Sequence, residues 1–409
     1  MNILYLNLYD KFGGAEKICN LLYHQLTQGD VHYRFVLVGN KDSDKNSYSL
    51  FSPHVFKEME EYLIRYDLLK KMVRILVLAS IIRIILVKRI DVVHLHNTHD
   101  YLISCKGIKL LLKFGPVVWT LHDMWSMTGN CTYSAKCVKW KEGCRKCKNL
   151  SAYSALSEDL PERRYLQKKA LFQENHLYRV CPSKWLYNMI KESGIGEKNL
   201  LWIPNGVDLE SFRKIDKKTA RKKHHLSENK KYLLFIAASV NNKKKGMTYL
   251  LEAVKMLNDM KELEILIIGD IKYKISGNGI PVHCLGYIPD QKVLNEIYAA
   301  ADLFILPSIE DNFPCTTLEA MASGTPVIAF KVGGIAEQLD DESGFLVEEI
   351  LSRELAKKIR MALSDQESLS DISEKAHKRC VDLFSADSMN DKYRILYKKA
   401  LKKYRSSFK

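Results

Sequence analysis

Ser308-Ile309-Glu310-Asp311-Asn312-Phe313-Pro314-Cys315-Thr316-Thr317-Leu318-Glu319 is the stretch of this 409-residue chain whose residue types and spacing point most directly to chemistry. It follows an apolar run, Leu303 to Leu306, that reads as a strand, and a helix is expected to start near Cys315. The first turn of a helix carries backbone N–H groups with no intrahelical partner, so the amides near Cys315 and Thr316 suit an anion. Glu319 falls one turn into that helix. One nucleotide could use both features, with its diphosphate on the amides and its ribose hydroxyls on Glu319. The plainer alternative is a solvated helix start whose acidic residues complement the dipole.

Two further clusters carry chemistry. Gly13-Gly14-Ala15-Glu16 follows the first strand and opens a helix, where glycines either let backbone amides approach a phosphate or simply make a tight turn. Cys131, Cys137, Cys144 and Cys147 lie within 17 residues. Four thiolates suit tetrahedral Zn²⁺, and with every position filled by sulfur such a site is structural; four reduced thiols in a buried loop are the alternative.

Elements must exist to position these groups. Apolar runs at Ile3–Leu8, Phe35–Val38, Val92–Leu95, Val117–Leu121, Leu233–Ala237, Ile265–Ile268, Leu303–Leu306 and Val327–Phe330 alternate with amphipathic stretches. That alternation predicts parallel sheets with helices on both faces, in an α/β chain long enough for two doubly wound domains. The expected division is 1–180, 181–385, and a tail helix 386–409. The tail's stripe of Tyr393, Leu396, Tyr397, Ala400 and Tyr404 must be covered by some surface. Apolar residues are 46% and charged residues 27%, which excludes an extended disordered chain.

The net charge is +15, favouring anionic partners. No secretory leader is expected at Met1–Leu8, and ten cysteines without one suggest reduced thiols and a cytoplasmic location. The longest apolar run, Ile75 to Val87, contains Arg83 and is too short to cross a bilayer. Residues Tyr62 to Arg89 mix Leu, Ile and Val with Arg65, Lys70, Lys71, Arg74, Arg83, Lys88 and Arg89. They read as a basic amphipathic helix, either resting on an anionic membrane surface or facing the core with a wet basic side.

The Ser308–Val327 stretch resembles the E-x7-E signature of retaining family 4 glycosyltransferases, enzymes of the GT-B fold. Ile203-Pro204-Asn205-Gly206-Val207-Asp208, Lys245-Gly246, Leu285-Gly286-Tyr287, Ala300-Ala301-Asp302, Gly333-Gly334 and Gly344-Phe345 resemble the family's further motifs in order. Gly13-Gly14-Ala15-Glu16 looks like its N-domain glycine loop. Thr120-Leu121-His122-Asp123 looks like the strand end bearing its active-site histidine. His122-Asp123-Met124-Trp125 followed by a Cys-rich insert is similar to a branch found among bacterial surface-polysaccharide enzymes. The resemblance implies two Rossmann-like domains facing a cleft, with the C-terminal helix crossing back to the N-domain. It also implies transfer of a sugar, with retention, from a nucleoside-diphosphate donor to a hydroxyl of a lipid-linked saccharide acceptor, as in lipopolysaccharide or capsule synthesis. The enzyme would sit in the cytoplasm, peripheral at the inner face of the plasma membrane.

Residue by residue, the resemblance assigns the donor's phosphates to Lys245, the Cys315 and Thr316 amides and the Gly13-Gly14 loop, its ribose to Glu319, and the sugar to His122. Asn312 and Phe313 complete the donor loop. Asp311 stands at the family's first acidic position, beside Glu310, which leaves the sugar's identity open. The family often has Arg where Ser239 stands, so Lys244 is expected to supply that charge, as a point charge and not a fork. Negative charge on the departing diphosphate would be met by lysine and oriented amides, so no metal is expected to be required for catalysis. Two other readings compete: a nucleotide-sugar epimerase of the same fold, and a nucleic-acid-binding protein using the cysteines as a zinc module among Lys136, Lys139, Lys141, Arg145 and Lys146. No nucleic-acid partner is expected on the first reading.

Overall fold

The apolar runs expected as strands form the body of two parallel sheets in the computed structural model. It describes the chain apart from residues 11–12, 25–28, 40–43, 98, 100–102, 136, 149, 151–159, 272–274, 278 and 408–409, and apart from the side chains of 60, 61, 63–65, 67 and 70. Contacts divide the described chain into two units, Met1–Pro204 with Asn390–Lys409, and Asn205–Met389.

The first unit holds β1 (Asn2–Tyr9), β2 (Val31–Val38), β3 (Ser47–Phe51), β4 (Val92–Leu95), β5 (Val117–Thr120), β6 (Leu177–Cys181) and β7 (Leu200–Trp202). They pair in the order β3-β2-β1-β4-β5-β6-β7, all parallel. The order reverses at β1 and β4, and in such a sheet ligands bind beyond the strand ends at that point. The helix Ala386–Ser406 lays Tyr393, Leu396, Tyr397 and Ala400 into the interior, and from Asn390 on it belongs to this unit.

The boundary expected at 180 falls inside β6. Ser183 caps the helix Lys184–Glu192 by accepting from the Leu186 N–H at 3.0 Å, and that helix leads into β7. The motif Val180-Cys181-Pro182-Ser183 thus begins the last strand–helix–strand repeat of the first sheet, and the division falls after Pro204.

The helix Asp67–Lys88 also departs from expectation. Val73, Val77, Ile81 and Ile85, four residues apart, are buried as a helix face against a sheet should be. Its outward side is not a wet basic face. Leu68, Met72, Ile75, Leu76, Leu86 and Val87 are exposed, Leu68 by 73%, interrupted by Lys71 and Arg83. Arg65 and Lys70 lie among the side chains that are not described. Among the described residues no helix is long and apolar enough to cross a membrane.

The second unit holds β8 (Lys231–Ser239), β9 (Leu263–Asp270), β10 (Val282–Gly286), β11 (Leu303–Leu306), β12 (Val327–Phe330) and β13 (Phe345–Val347), ordered β10-β9-β8-β11-β12-β13 and parallel. Alternation splits its core cleanly. Leu233, Phe235, Leu303 and Ile305 face one apolar layer, while Tyr232, Leu234, Phe304 and Leu306 face the other. At the foot of β11, the buried Asp302 accepts from Arg221 at 2.6 Å, from the Tyr232 N–H at 2.7 Å and from Lys217 at 3.0 Å. The Ala300-Ala301-Asp302 motif therefore ties the helix Lys217–Lys223 to the start of β8.

Candidate functional site

In the second unit, β11 ends at Leu306, the chain loops through Ser308–Pro314, and the helix Cys315–Ala322 begins. Pro314 caps it without a side-chain hydrogen bond, and no acidic residue stands in the first turn. Neighbouring backbone holds the loop from two sides. Gly246 has φ +74°, and a Cβ there would lie 1.7 Å from the Pro307 carbonyl oxygen. Gly333, at φ +56°, would bring its Cβ 1.7 Å from that of Asp311. Only glycine fits either position, because both left-handed φ and contact with backbone forbid a side chain. Asn205 Nδ2 donates to the Phe313 carbonyl at 3.3 Å, and Gln338 Nε2 to the Pro314 carbonyl at 3.0 Å.

Lys243–Lys245 form a short 3-10 turn ending on Gly246, which sets both following lysines against the acidic loop. Lys245 Nζ lies 2.6 Å from Asp311 Oδ2, Lys244 Nζ 3.0 Å from Glu310 Oε2, and the Ile309 N–H donates to the Lys244 carbonyl at 2.9 Å. Asp311, Asn312, Phe313 and Glu319 are buried; Cys315 and Thr316 are half-buried. Tyr298 Oη donates to Glu319 Oε2 at 3.1 Å. Burial, then the Glu319 charge, push the Tyr298 phenol well above its ordinary pKa, so it serves Glu319 as a donor. The structure brings together Lys244, Lys245, Asp311, Asn312, Phe313, Cys315, Thr316 and Glu319. Tyr298, Asn205 and Gln338 were not among the sequence candidates.

In the first unit, His122 follows β5, one strand from the sheet's switch point. His96 Nδ1 lies 3.0 Å from His122 Nε2, with the rings stacked at 5.3 Å. Below them His94 bridges Thr120 Oγ1 at 2.8 Å and Tyr397 Oη at 2.7 Å, and Thr120 Oγ1 meets Tyr393 Oη at 2.7 Å. The tail tyrosines thus present apolar rings and polar ends to the same strands. Burial holds His94 and His96 well below the ordinary imidazole pKa and brings His122 to about 4. His99 Nε2 lies 3.0 Å from Asp123 Oδ2, while Asp123 Oδ1 accepts from the Trp125 N–H at 2.8 Å. Strand spacing in Val92-Val93-His94-Leu95-His96 was the available signal for this network.

At the glycine loop, Gly14 is the first residue of the helix Gly14–His24, and the carboxyl of the buried Glu16 folds back to 2.1 Å from where a Gly13 Cβ would stand. Burial raises the pKa of this carboxyl towards the neutral form.

Two family models match this chain, Glycosyltransferase Family 4 over residues 12–211 and Glycosyl transferases group 1 over residues 216–379. The chain belongs to the family 4 glycosyltransferases. The protein assigned in Escherichia coli K12 as the colanic acid biosynthesis glycosyl transferase WcaC is 27% identical over 269 residues, which span 63% of this chain and 64% of that one. The alignment thus covers less than two thirds of that relative. Among solved structures, the sucrose-phosphate synthase of Thermosynechococcus elongatus has a TM-score of 0.71 at 16% identity, covering 98% of both chains. Anabaena HepE in complex with UDP-glucose has a TM-score of 0.66 at 17% identity, covering 98% of this chain and 100% of that one. These two show the fold, a two-domain GT-B architecture. Neither the epimerase nor the zinc-module reading draws support from these proteins.

The Cys-rich insert of this family member does not show the expected zinc site. Among the described residues no three His, Cys, Asp or Glu side chains are grouped to hold a metal ion. Cys137 is exposed, Cys144 is buried with its sulfur accepting from the Gly129 N–H at 3.1 Å, and Cys131 and Cys147 are half-buried. The loop after His122 is pinned by a lysine instead. Lys168 is buried, donates to the carbonyls of Trp125 at 2.5 Å and Thr128 at 2.9 Å, and sits 3.4 Å from the Trp125 ring centroid. Charged hydrogen bonds of this kind contribute about 1.5–3 kcal/mol each. Lys168→Met should therefore lower first-unit stability by at least about 1.5 kcal/mol in denaturant titration, whereas a chelator should leave the wild-type curve in place.

The neutral histidines make a second prediction. Their folded pKa values lie below the unfolded value of 6.5, so the unfolded chain binds more protons between the two. Stability is full above pH 6.5 and is lost as pH falls, with His122 contributing until about 4. Each of the fully buried His94 and His96 should remove about 1.4 kcal/mol per pH unit in that window. Thermal unfolding followed from pH 7 to pH 5 should show this loss, and replacing His94 with Gln should reduce the slope.

Proposed function

We propose that this chain is a retaining glycosyltransferase that moves a sugar from a nucleoside-diphosphate donor to a hydroxyl of a lipid-linked saccharide in surface-polysaccharide synthesis. The observation that carries it is the meeting of Lys244 and Lys245 with the acidic loop at an uncapped helix start, one turn before a carboxylate held by Tyr298. The Cys315 and Thr316 amides and Lys245 take the diphosphate, and Glu319 takes the ribose. Asp311, relieved of Lys245 as the phosphate arrives, accepts from a sugar hydroxyl. Lysine and fixed amides face the charge that grows on the leaving group, and fixed dipoles need no reorganisation at that moment. On this reading no metal ion is needed. Lys244, Asn312 and Phe313 shape the donor loop, and His122 meets the sugar. The Gly13-Gly14 amides join once the Glu16 carboxyl gives way.

HepE's complex with UDP-glucose supports a uridine nucleotide as donor, and the WcaC relative supports a polysaccharide acceptor. UDP at about 100 times its Kd should stabilise the second unit by about 2.7 kcal/mol, with Lys245→Ala and Glu319→Gln each reducing the shift in a thermal melt. A panel of UDP, GDP, TDP, ADP and CMP that leaves the wild-type melt unmoved overturns the reading.

The membrane surface is the second part of the proposal. The exposed Leu68, Met72, Ile75, Leu76, Leu86 and Val87, interrupted by Lys71 and Arg83 and followed by Arg89, form an apolar face that carries basic residues. Such a face buries its side chains in the acyl boundary while the cations meet anionic headgroups, bringing the enzyme to a lipid-linked acceptor. The wild type should sediment with phosphatidylglycerol vesicles, and Ile75→Asp with Leu76→Asp should abolish this. Wild-type protein left in the supernatant contradicts membrane docking.

A further inference from the structure

Polar atoms buried without a partner are costly, and three of them border one small recess of the first unit. His96 Nε2, Trp125 Nε1 and Ser126 Oγ are each buried with no hydrogen bond, on side chains at most 3% exposed. All three residues line a recess at the ends of β4 and β5, together with Asn97, Thr120 and Asp123. Other polar groups of its wall are paired: Trp119 Nε1 donates to the His96 carbonyl at 3.1 Å, Thr120 Oγ1 meets His94 and Tyr393, and Asp123 accepts from the Trp125 N–H. Asn97, His122 and Asp123 are half-buried, so they form the margin through which a group enters. The chemistry of the three atoms says what would satisfy them. An indole N–H only donates, whereas a hydroxyl and a neutral imidazole can each donate or accept. Burial keeps His96 neutral, and the Asp123 carboxylate stands at the margin, so neither attracts an anion. The recess has a volume of about 10 Å³, room for one water-sized group. A hydroxyl meets every demand, since its oxygen accepts from the indole and its hydrogen goes to Ser126 or His96.

We propose that Trp125 and Ser126 are specificity-determining residues which, with His96, seat one hydroxyl of a saccharide in this recess. Room for a single hydroxyl shuts out the same position when it is acylated. A saccharide without that hydroxyl leaves the buried atoms unpaired, which is the mismatch that polar sites reject most strongly. That the hydroxyl belongs to a saccharide rests on the proposed function; the demand for a hydroxyl rests on the first unit alone.

The Trp125 indole, one of five in the chain, reports on the recess directly. In ¹H–¹⁵N spectra of the ¹⁵N-tryptophan-labelled full chain its signal is identified by its loss in Trp125→Phe. The probes are the methyl glycosides of glucose, galactose, mannose and N-acetylglucosamine, each taken to its solubility limit. At least one should move the Trp125 signal saturably, and one monodeoxy form of that glycoside should bind at least about tenfold more weakly. Ser126→Ala should weaken the intact glycoside by a similar factor. Magnetisation passing from water to this indole, with no glycoside shifting it, makes the recess a hydration site and overturns the proposal. Shifts confined to the other indoles, or equal binding by every monodeoxy form, overturn it too. Should Trp125→Phe not fold, calorimetric titration of Ser126→Ala, which removes a single oxygen, decides the matter, and binding at full strength there overturns the proposal. No nucleotide is used, so a silent nucleotide panel leaves this readout intact, and failure here leaves the transferase reading standing.

Discussion

A helix can lend the amides of its first turn to an anion only if nothing else has claimed them and if the chain entering the helix is held still. At the helix Cys315–Ala322 the capping Pro314 makes no side-chain hydrogen bond, and neighbouring backbone and side chains hold the entering chain. Gly246 and Gly333 press backbone against Pro307 and Asp311, and the side chains of Asn205 and Gln338 hold the carbonyls of Phe313 and Pro314. The Pro314 carbonyl points opposite to the Cys315 N–H of the same peptide plane, so securing it orients the first turn. Asn205, Gly246, Gly333 and Gln338, spread through the second unit, therefore share a purpose: each is a contact to the loop Pro307–Pro314.

The first unit solves a different problem. Parallel strands buried on both faces have little tolerance for charge, yet the carboxyl ends of β1, β4 and β5 must offer polar groups. Imidazole, phenol and threonine hydroxyl do so without net charge. Tyr5 pairs with His94 across β1 and β4, and Tyr397 and Tyr393 reach the same strands from the terminal helix. A polar network of neutral groups is favourable only when its partners are satisfied, which gives the terminal helix a chemical reason to lie where it does as well as an apolar one.

Much of this was legible in the residues themselves. Val92–Leu95, Leu303–Leu306 and Val327–Phe330 are strands over the expected residues, because a short β-rich apolar run between turn signals has few other uses. The loop from Ser308 and the helix from Cys315 were legible for the same reason. β3 and β7 were not, since Ser-Tyr-Ser-Leu-Phe at an exposed sheet edge and the three residues Leu200–Trp202 carry little period. The expected zinc site shows a different limit: cysteine spacing records which ligands are available, and the backbone decides whether they converge. Lys168, one lysine among many in the sequence, is the pin of that loop because folding places two carbonyls and an indole around its ammonium. Tyr393 and Tyr397 were read as apolar, which accounts for their rings and not their hydroxyls.

Lys244 faces Glu310 and Lys245 faces Asp311, so two cations and two anions cancel at the mouth of the acidic loop. Despite a net charge of +15, the site itself projects little field towards an approaching dianion. On the proposed function, a diphosphate would be captured by exchange, taking a lysine from a carboxylate at contact, and not by being drawn in from a distance. Its association rate would owe little to ionic strength, while its residence would depend on how well the released carboxylate finds a hydroxyl. On that reading, discrimination among sugars would lie in the departure of the ligand more than in its arrival.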